Sequence, residues 1–299
     1  MKIFEVRDLD AGVRLKETLS RGETIVAPGV FNPISAMLAK KHGFKAIYLS
    51  GAALTASYGL PDLGLITLDE ILYMVRKIYS IVNLPIIVDA DVGFGGVLNV
   101  ARTTKELEEA GAAAMQIEDQ EMPKKCGHLS SKKLIPAEEM VYKIRAAREV
   151  RKNLLIIART DARAVEGLRK AIERAQMYAE AGADIIFPEA LISNEEFELF
   201  RREIHIPLLA NMTEFGRTPY TTVKEFSEMG YNIVIFPVTA LRMALTAIED
   251  TYRELSRKGT QRDLLPQMMT REELYRLINY YDYEEFDKEL SGKKDDWIR

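Results

Sequence analysis

Eight short apolar runs rich in Val and Ile recur along the chain, at residues 24–30, 46–50, 85–91, 114–120, 154–162, 185–190, 207–212 and 233–238. After each comes a turn and then a longer stretch with the apolar spacing of a helix, near residues 33–42, 68–80, 97–110, 137–150, 168–181, 194–203, 221–229 and 239–257. Gly111 and Gly182 sit in Ala-Gly-Ala turns at helix ends, where glycine suits a left-handed cap. Eight strand and helix pairs in about 260 residues match the size of a (β/α)8 TIM-type barrel. A doubly wound open sheet is the alternative, because strand order is invisible in a sequence.

No low-complexity linker divides the chain, so a single barrel domain is expected over residues 1–299, with 259–299 as a charged, tyrosine-rich C-terminal helical extension. Hydrophobic residues make up 47%, enough for a sizeable core. Lysine and arginine (41) nearly balance aspartate and glutamate (45), and a formal charge of -4 offers no general attraction to nucleic acid or anionic membrane. No apolar run approaches the roughly 20 residues needed to span a bilayer. The opening MKIFEVRDLD carries charge where a signal peptide needs an apolar centre. The expectation is a cytoplasmic protein with a small or acidic soluble partner. One cysteine cannot form an internal disulfide, which agrees with that compartment.

Barrels of this kind carry their chemistry at the C-terminal ends of strands. The third run ends in Asp89-Ala90-Asp91, and strand alternation would point both aspartates to one side. The others end in Tyr48-Leu49-Ser50-Gly51, Glu118-Asp119, Arg159-Thr160-Asp161, Glu189 and Asn211-Met212-Thr213. Clustered carboxylates repel one another unless a cation neutralises them, and oxygen ligands with room for water suit Mg2+ or Mn2+ better than Zn2+. Asp89 and Asp91 could equally cap the next helix or pair with arginines. Gly93-Phe94-Gly95-Gly96 lacks the lysine and spacing of a phosphate loop and reads as a tight turn. Arg159 and Arg242 lie near strand ends, where a guanidinium can hold a carboxylate by two parallel hydrogen bonds or an ion pair with a neighbouring acid.

The only cysteine stands in Lys124-Lys125-Cys126-Gly127-His128, within a stretch after the fourth strand (121–136) that is longer than most such connections. An extended backbone would put Lys124, Cys126 and His128 on one side. A thiol between an ammonium and an imidazole is suited to pass a proton. Zinc would need more thiolates or nearby histidines, and a redox sensor is the remaining alternative.

Lys124-Lys125-Cys126-Gly127-His128 resembles the signature of the isocitrate lyase and 2-methylisocitrate lyase family, within the phosphoenolpyruvate mutase superfamily. The resemblance extends over nearly the whole chain through Tyr48-Leu49-Ser50-Gly51, Gly59-Leu60-Pro61-Asp62, Val88-Asp89-Ala90-Asp91, Ile117-Glu118-Asp119-Gln120, Ala158-Arg159-Thr160-Asp161-Ala162, Phe187-Pro188-Glu189-Ala190 and Asn211-Met212-Thr213-Glu214-Phe215-Gly216. It implies Mg2+-dependent cleavage of a carbon-carbon bond in a hydroxytricarboxylate, with Mn2+ able to substitute. It also implies a homotetramer of (β/α)8 barrels that exchange a last helix between subunits. By the same resemblance Asp89 binds the metal while Asp62, Asp91 and Glu118 hold its waters. Ser50, Gly51, Ala52, Lys125, Gly127, Arg159, Glu189, Asn211, Thr213 and Arg242 grip the substrate. Cys126 is the general acid, with Lys124 and His128 beside it, and Tyr48 is the candidate base.

Two departures stand out: Gln116 replaces a histidine common in the family, and Gly51-Ala52-Ala53 is less glycine-rich than in close relatives. The 299-residue length leaves no space for the insertion typical of isocitrate lyases. Phe187, where those enzymes tend to carry Trp, and Phe236-Pro237-Val238-Thr239 both favour 2-methylisocitrate over isocitrate. Oxaloacetate decarboxylases and phosphoenolpyruvate mutases on this scaffold lack the cysteine signature. A barrel that binds carboxylates without turnover is the rival from another class.

Overall fold

The computed structural model describes residues 11–127 and 131–291. Its strands are β1 (Ile25–Val30), β2 (Ile47–Leu49), β3 (Ile86–Asp89), β4 (Ala114–Glu118), β5 (Leu155–Thr160), β6 (Ile185–Pro188), β7 (Leu209–Asn211) and β8 (Ile233–Phe236), one inside each apolar run. All pair in parallel in the order β6-β5-β4-β3-β2-β1-β8-β7. A parallel bridge between Ile186 and Leu208 joins the two ends, where the Ile186 N–H donates to the Pro207 carbonyl at 3.0 Å. The sheet is therefore a (β/α)8 barrel, and the open doubly wound alternative is excluded.

The helices up to the barrel's end are α1 (Ala11–Ser20), α2 (Pro33–Lys41), α3 (Gly51–Ser57), α4 (Leu68–Tyr79), α5 (Val97–Glu109), α6 (Ala137–Val150), α7 (Ala162–Val165), α8 (Leu168–Ala181), α9 (Asn194–Glu203), α10 (Val223–Glu228) and α11 (Thr239–Lys258). All eight expected helices form. Their starts follow local chemistry: Thr67 accepts from the Glu70 N–H at 3.3 Å while the Glu70 carboxylate accepts from the Thr67 N–H at 2.7 Å, a reciprocal cap opening α4. Three short helices were not expected from periodicity. Of these, α3 forms because the Ser50 hydroxyl accepts from the Ala53 N–H at 3.2 Å, which turns a strand end into a helix cap.

Strand alternation sorts the side chains into two cores. Ile86, Val88, Met115, Ile117, Ile156, Ala158, Ile186 and Val234 point outward and pack under the helices with Ile71, Val75, Ile144, Tyr178 and Phe197. Tyr48, Ile87, Ala114, Leu155, Ile157, Ile185, Phe187, Leu209, Ile233 and Ile235 point inward, joined by Ala11 and Leu15 of α1. Each large side chain so buried contributes roughly 1.5–3 kcal/mol. Continuing the inward series by two residues reaches Ser50, Asp89, Gln116 and Glu118, Arg159, Glu189 and Asn211. The apolar floor thus gives way to a polar ceiling.

Among the described residues two compact units are present, one ending at residue 242 and one beginning at residue 243. In the second, the remainder of α11 is followed by a 3-10 turn (Arg262–Gln267), α12 (Arg271–Leu277) and α13 (Tyr280–Ser291). Tyr275 stacks on Tyr280 at 4.4 Å between centroids, and Tyr281 meets Tyr280 edge-on at 5.7 Å. The expected exchange of a helix between subunits concerns a second copy of the chain. Among the described residues, no helix is long and apolar enough to cross a membrane.

Candidate active site

Two carboxylates meet beside Gly51. A Cβ on this glycine would stand 3.0 Å from Asp89 Oδ2, a tight approach, and 3.5 Å from Asp91 Oδ1, an ordinary contact, so both acids lie against the start of α3. The Gly51 N–H donates to Asp89 Oδ2 at 3.2 Å and the Asp91 N–H to Asp89 Oδ1 at 3.3 Å. The sequence reading placed Asp91 by strand alternation. In fact β3 ends at Asp89, and Asp91 lies in a turn with φ of +47°. The turn, closed by the Gly93 N–H on the Ala90 carbonyl at 2.8 Å, brings the second carboxylate to the first. Gly93-Phe94-Gly95-Gly96 is a strand-to-helix turn as expected, leading into α5.

Lys124 answers these acids. Its ammonium pairs with Asp62 and, at 2.7 Å, with Asp91 Oδ1, and its side chain is 4% exposed. Burial alone would lower its pKa, but Asp91, Glu118 and Asp62 outweigh that and hold it firmly protonated. Burial pushes Asp91 up to about 6, opposed by Lys124 and reinforced by Asp89. Glu118 is also raised, first by burial, against the pull of Arg159 and Lys124.

The opposite sector is organised by Arg159. Its Nε donates to Asp161 Oδ2 at 2.9 Å and its Nη2 to Asp161 Oδ1 at 3.1 Å. Its Nη1 lies 3.2 Å from Glu118 Oε2 and 3.6 Å from Glu189 Oε2, and its guanidinium sits over the Phe187 ring at 5.3 Å. Asn211 Nδ2 donates to Glu189 Oε2 at 3.2 Å, and Thr213 is 9% exposed just beyond. Arg242 lies at the rim, its Nη1 donating to the Glu214 carbonyl at 2.8 Å.

Tyr48 donates its phenol proton to Gln116 Oε1, whose Nε2 donates to Asp89 Oδ1 at 3.2 Å. The amide joins the candidate base to the candidate metal ligand. Burial, then Asp89, pushes the Tyr48 phenol well above its ordinary range. Positive charge arriving beside Asp89 would draw it back down.

The residue 121–136 segment returns on itself, with Gln120 bridging Leu134 and the Glu121 N–H donating to the Lys133 carbonyl at 2.9 Å. Gln120 clasps Lys125 through both its amide groups, at 2.8 and 2.9 Å. Gly127 lies directly on the Arg159 sector: a Cβ there would stand 2.6 Å from Arg159 Nη2 and closer still to Glu189 Cγ. Cys126 is exposed while Lys124 is buried, so strict alternation does not carry them into one environment, and the lysine expected beside the thiol is engaged by Asp62 and Asp91. His128 lies outside the described residues.

The sequence reading gave no role to Lys132 or to Asp161. Lys132 is buried, with Nζ 2.6 Å from Asp161 Oδ1 and donating to the Gly127 carbonyl. Asp161 also receives support from Asp119, whose Oδ1 accepts the Asp161 N–H at 2.9 Å. Asp119 in turn accepts from the Thr160 and Tyr178 hydroxyls, each at 2.8 Å. Ser131-Lys132-Lys133 looks like a solvated charge run, and only the fold distinguishes the middle lysine.

Among the described residues, no three or more His, Cys, Asp or Glu side chains converge into a ready metal cage. A hard cation held by one or two carboxylates and several waters does not need such a cage. The donors at Asp62, Asp89, Asp91 and Glu118 are all oxygens, and Glu118 Oε1 is buried without a hydrogen-bond partner. These features fit Mg2+ or Mn2+.

A family model described as phosphoenolpyruvate phosphomutase matches residues 15–256. A 2-methylisocitrate lyase of Aeropyrum pernix is 59% identical over 287 residues, covering 96% of this chain and 93% of its own. A solved 2,3-dimethylmalate lyase of the PEP mutase/isocitrate lyase superfamily is 36% identical with a TM-score of 0.90, covering 97% of this chain and 99% of its own. A phosphonopyruvate hydrolase solved with oxalate and Mg2+ is 31% identical with a TM-score of 0.84, covering 93% of this chain and 98% of its own.

Proposed function

The chain belongs to the phosphoenolpyruvate phosphomutase family, and within it we propose that the protein is a carbon-carbon lyase cleaving 2-methylisocitrate into succinate and pyruvate. The observation that carries this reading is the seating of Gly127 on Arg159 and Glu189, which brings Cys126 to the edge of an anion-binding sector facing a carboxylate cluster.

Arg159 holds a substrate carboxylate, with Asn211, Thr213 and the Ser50-Gly51-Ala52 turn completing the grip; Lys125 and Arg242 belong to the rim. Asp89 would ligate Mg2+, with Asp62, Asp91 and Glu118 holding its waters. When bound, Mg2+ stabilises negative charge on the substrate's hydroxyl and carboxylate oxygens. Tyr48, oriented by Gln116, would take the hydroxyl proton as its phenolate, after its own phenol proton has left to solvent, a state that positive charge beside Asp89 favours. The electrons left on oxygen form the pyruvate carbonyl as the carbon-carbon bond breaks, and the pair from that bond becomes the enolate of succinate. Cys126 then delivers a proton to that carbon. Phe187 beneath Arg159 shapes the space for the extra methyl group, which is worth about 1–3 kcal/mol of discrimination.

The C-terminal segment 259–299 is read as an extension of the barrel domain that serves a homotetramer. Supporting this, Leu245, Ile248, Tyr252 and Leu255 recur at helical spacing along α11 and are exposed. Sedimentation at micromolar concentration checks it, with a monomer counting against it.

Activity is tested by 2-oxo acid release from 2-methylisocitrate and from isocitrate, each with Mg2+ and with EDTA. The expected outcome is a kcat/KM at least about tenfold higher for 2-methylisocitrate, abolished by the chelator. Release from neither substrate would refute the reading.

A further inference from the structure

Lysine is almost never buried unless paired, and burying an ion pair costs desolvation that mutual attraction repays only with good geometry. Lys132 is such a case: its side chain is 1% exposed and that of Asp161 0%. Its ammonium does two things at once. It pairs with Asp161 Oδ1 at 2.6 Å and donates to the Gly127 carbonyl. Asp161 is the same carboxylate that receives Nε and Nη2 of Arg159. One ammonium therefore connects the backbone immediately after Cys126 to the carboxylate that orients the substrate-binding guanidinium.

The connection is rigid at both ends. Asp161 is held from behind by Asp119, and Asp119 by Thr160 and Tyr178. Gly127 sits close over the barrel mouth, where a Cβ built on it would meet Glu189 Cγ and lie 2.6 Å from Arg159 Nη2, so no side chain fits there. Without the ammonium, the Gly127 carbonyl would face a buried carboxylate and be pushed away from it, carrying Cys126 with it.

We propose that Lys132 is a positioning residue, setting the height of Cys126 over the anion sector by tying the Gly127 carbonyl to Asp161. The assignment rests on the lyase reading above. It touches neither substrate nor reacting atoms; it acts through Gly127 and Asp161. A misplacement of the proton donor by about 1 Å can cost about 10²-fold in rate, which sets the effect to expect.

The test compares wild-type protein with Lys132→Met and Lys132→Arg. Wild-type turnover of 2-methylisocitrate is measured first: if it is absent, the lyase reading fails; if it is present, the variants judge Lys132 alone. For K132M the expected result is a kcat about 10²-fold lower with KM within about threefold, and partial recovery in K132R. Alkylation supplies a second readout, since Cys126 is the only thiol in the chain. Succinate should slow iodoacetamide labelling of the wild type and fail to slow it in K132M. A purely structural lysine would lower the melting temperature while leaving kcat per folded molecule and succinate protection intact, and that pattern overturns the proposal. Should K132M not fold, Lys132→Gln is read by the same two criteria.

Discussion

The two sides of the barrel mouth are built from the same kinds of side chain and reach opposite electrostatic solutions. On the β2–β4 side, Asp62, Asp89 and Asp91 face one ammonium, Lys124, while Glu118 stands between the two sides, 3.2 Å from Arg159 Nη1. On the β5–β7 side, Asp161 and Glu189 face Arg159 and Lys132. In the first sector burial, reinforced by neighbouring carboxylates and opposed by Lys124 and Arg159, makes Asp91 and Glu118 hold protons more tightly than free carboxylates do. The second balances itself and has cationic groups to offer an anion. On the proposed reading the first sector receives a cation and the second a carboxylate, and a substrate bearing both a hydroxyl and carboxylates bridges them.

The sharpest way to break this comparison is Arg159→Met. It leaves Asp161, Glu118 and Glu189 without their guanidinium, and stripping one partner from a buried pair costs about 3–5 kcal/mol of stability. Substrate affinity should fall as well: truncating one partner of a buried hydrogen-bonded charge pair costs about 2–5 kcal/mol of binding, and at about 1.4 kcal/mol per tenfold kcat/KM should drop by about 10²–10³-fold. Steady-state kinetics together with urea denaturation check both. On the other side, Asp89→Asn, which removes a direct ligand in the proposed reading, should lower activity by at least the roughly 100-fold that loss of an outer-shell partner can cost, with part of the loss recovered at higher Mg2+ concentration. Activity that ignores Mg2+ concentration in this variant would count against the cation sector. A smaller effect is expected from Phe187→Trp, which fills the space beneath Arg159: a change of about tenfold in the ratio of kcat/KM for the two substrates, in favour of isocitrate. Lys105→Ala, which removes an exposed pair with Glu109 at 3.9 Å, should change stability by no more than about 0.5 kcal/mol and leave turnover untouched.

Period-2 alternation made much of this site legible. Because inward positions repeat every second residue, the polar group following Ile87, Ile157 or Leu209 had to face the barrel axis, and Asp89, Arg159 and Asn211 do so. The eight strands were legible for the same reason: their runs are apolar enough to be covered on both sides. What escaped the sequence was set by backbone turns and by distance along the chain. Asp91 reaches Asp89 through a left-handed residue rather than through strand alternation. The pairing of Lys132 with Asp161 joins positions 29 residues apart, and nothing in Ser131-Lys132-Lys133 separates a buried lysine from a solvated one. The expected grouping of Lys124 with Cys126 missed a stronger competitor, since two carboxylates claim that ammonium.

On the proposed reading, the 121–136 segment presents Cys126 as proton donor to the carbon released by bond cleavage. Replacing that thiol with a hydroxyl of similar size tests it most directly: kcat of Cys126→Ser on 2-methylisocitrate, measured beside KM and succinate affinity. A loss of about 10³-fold in kcat, with KM and succinate binding within about threefold of wild type, is the result this account predicts. A Cys126→Ser protein that keeps more than about a tenth of wild-type kcat would contradict it, because a hydroxyl is a far weaker acid than a thiol and could not supply the proton at that rate.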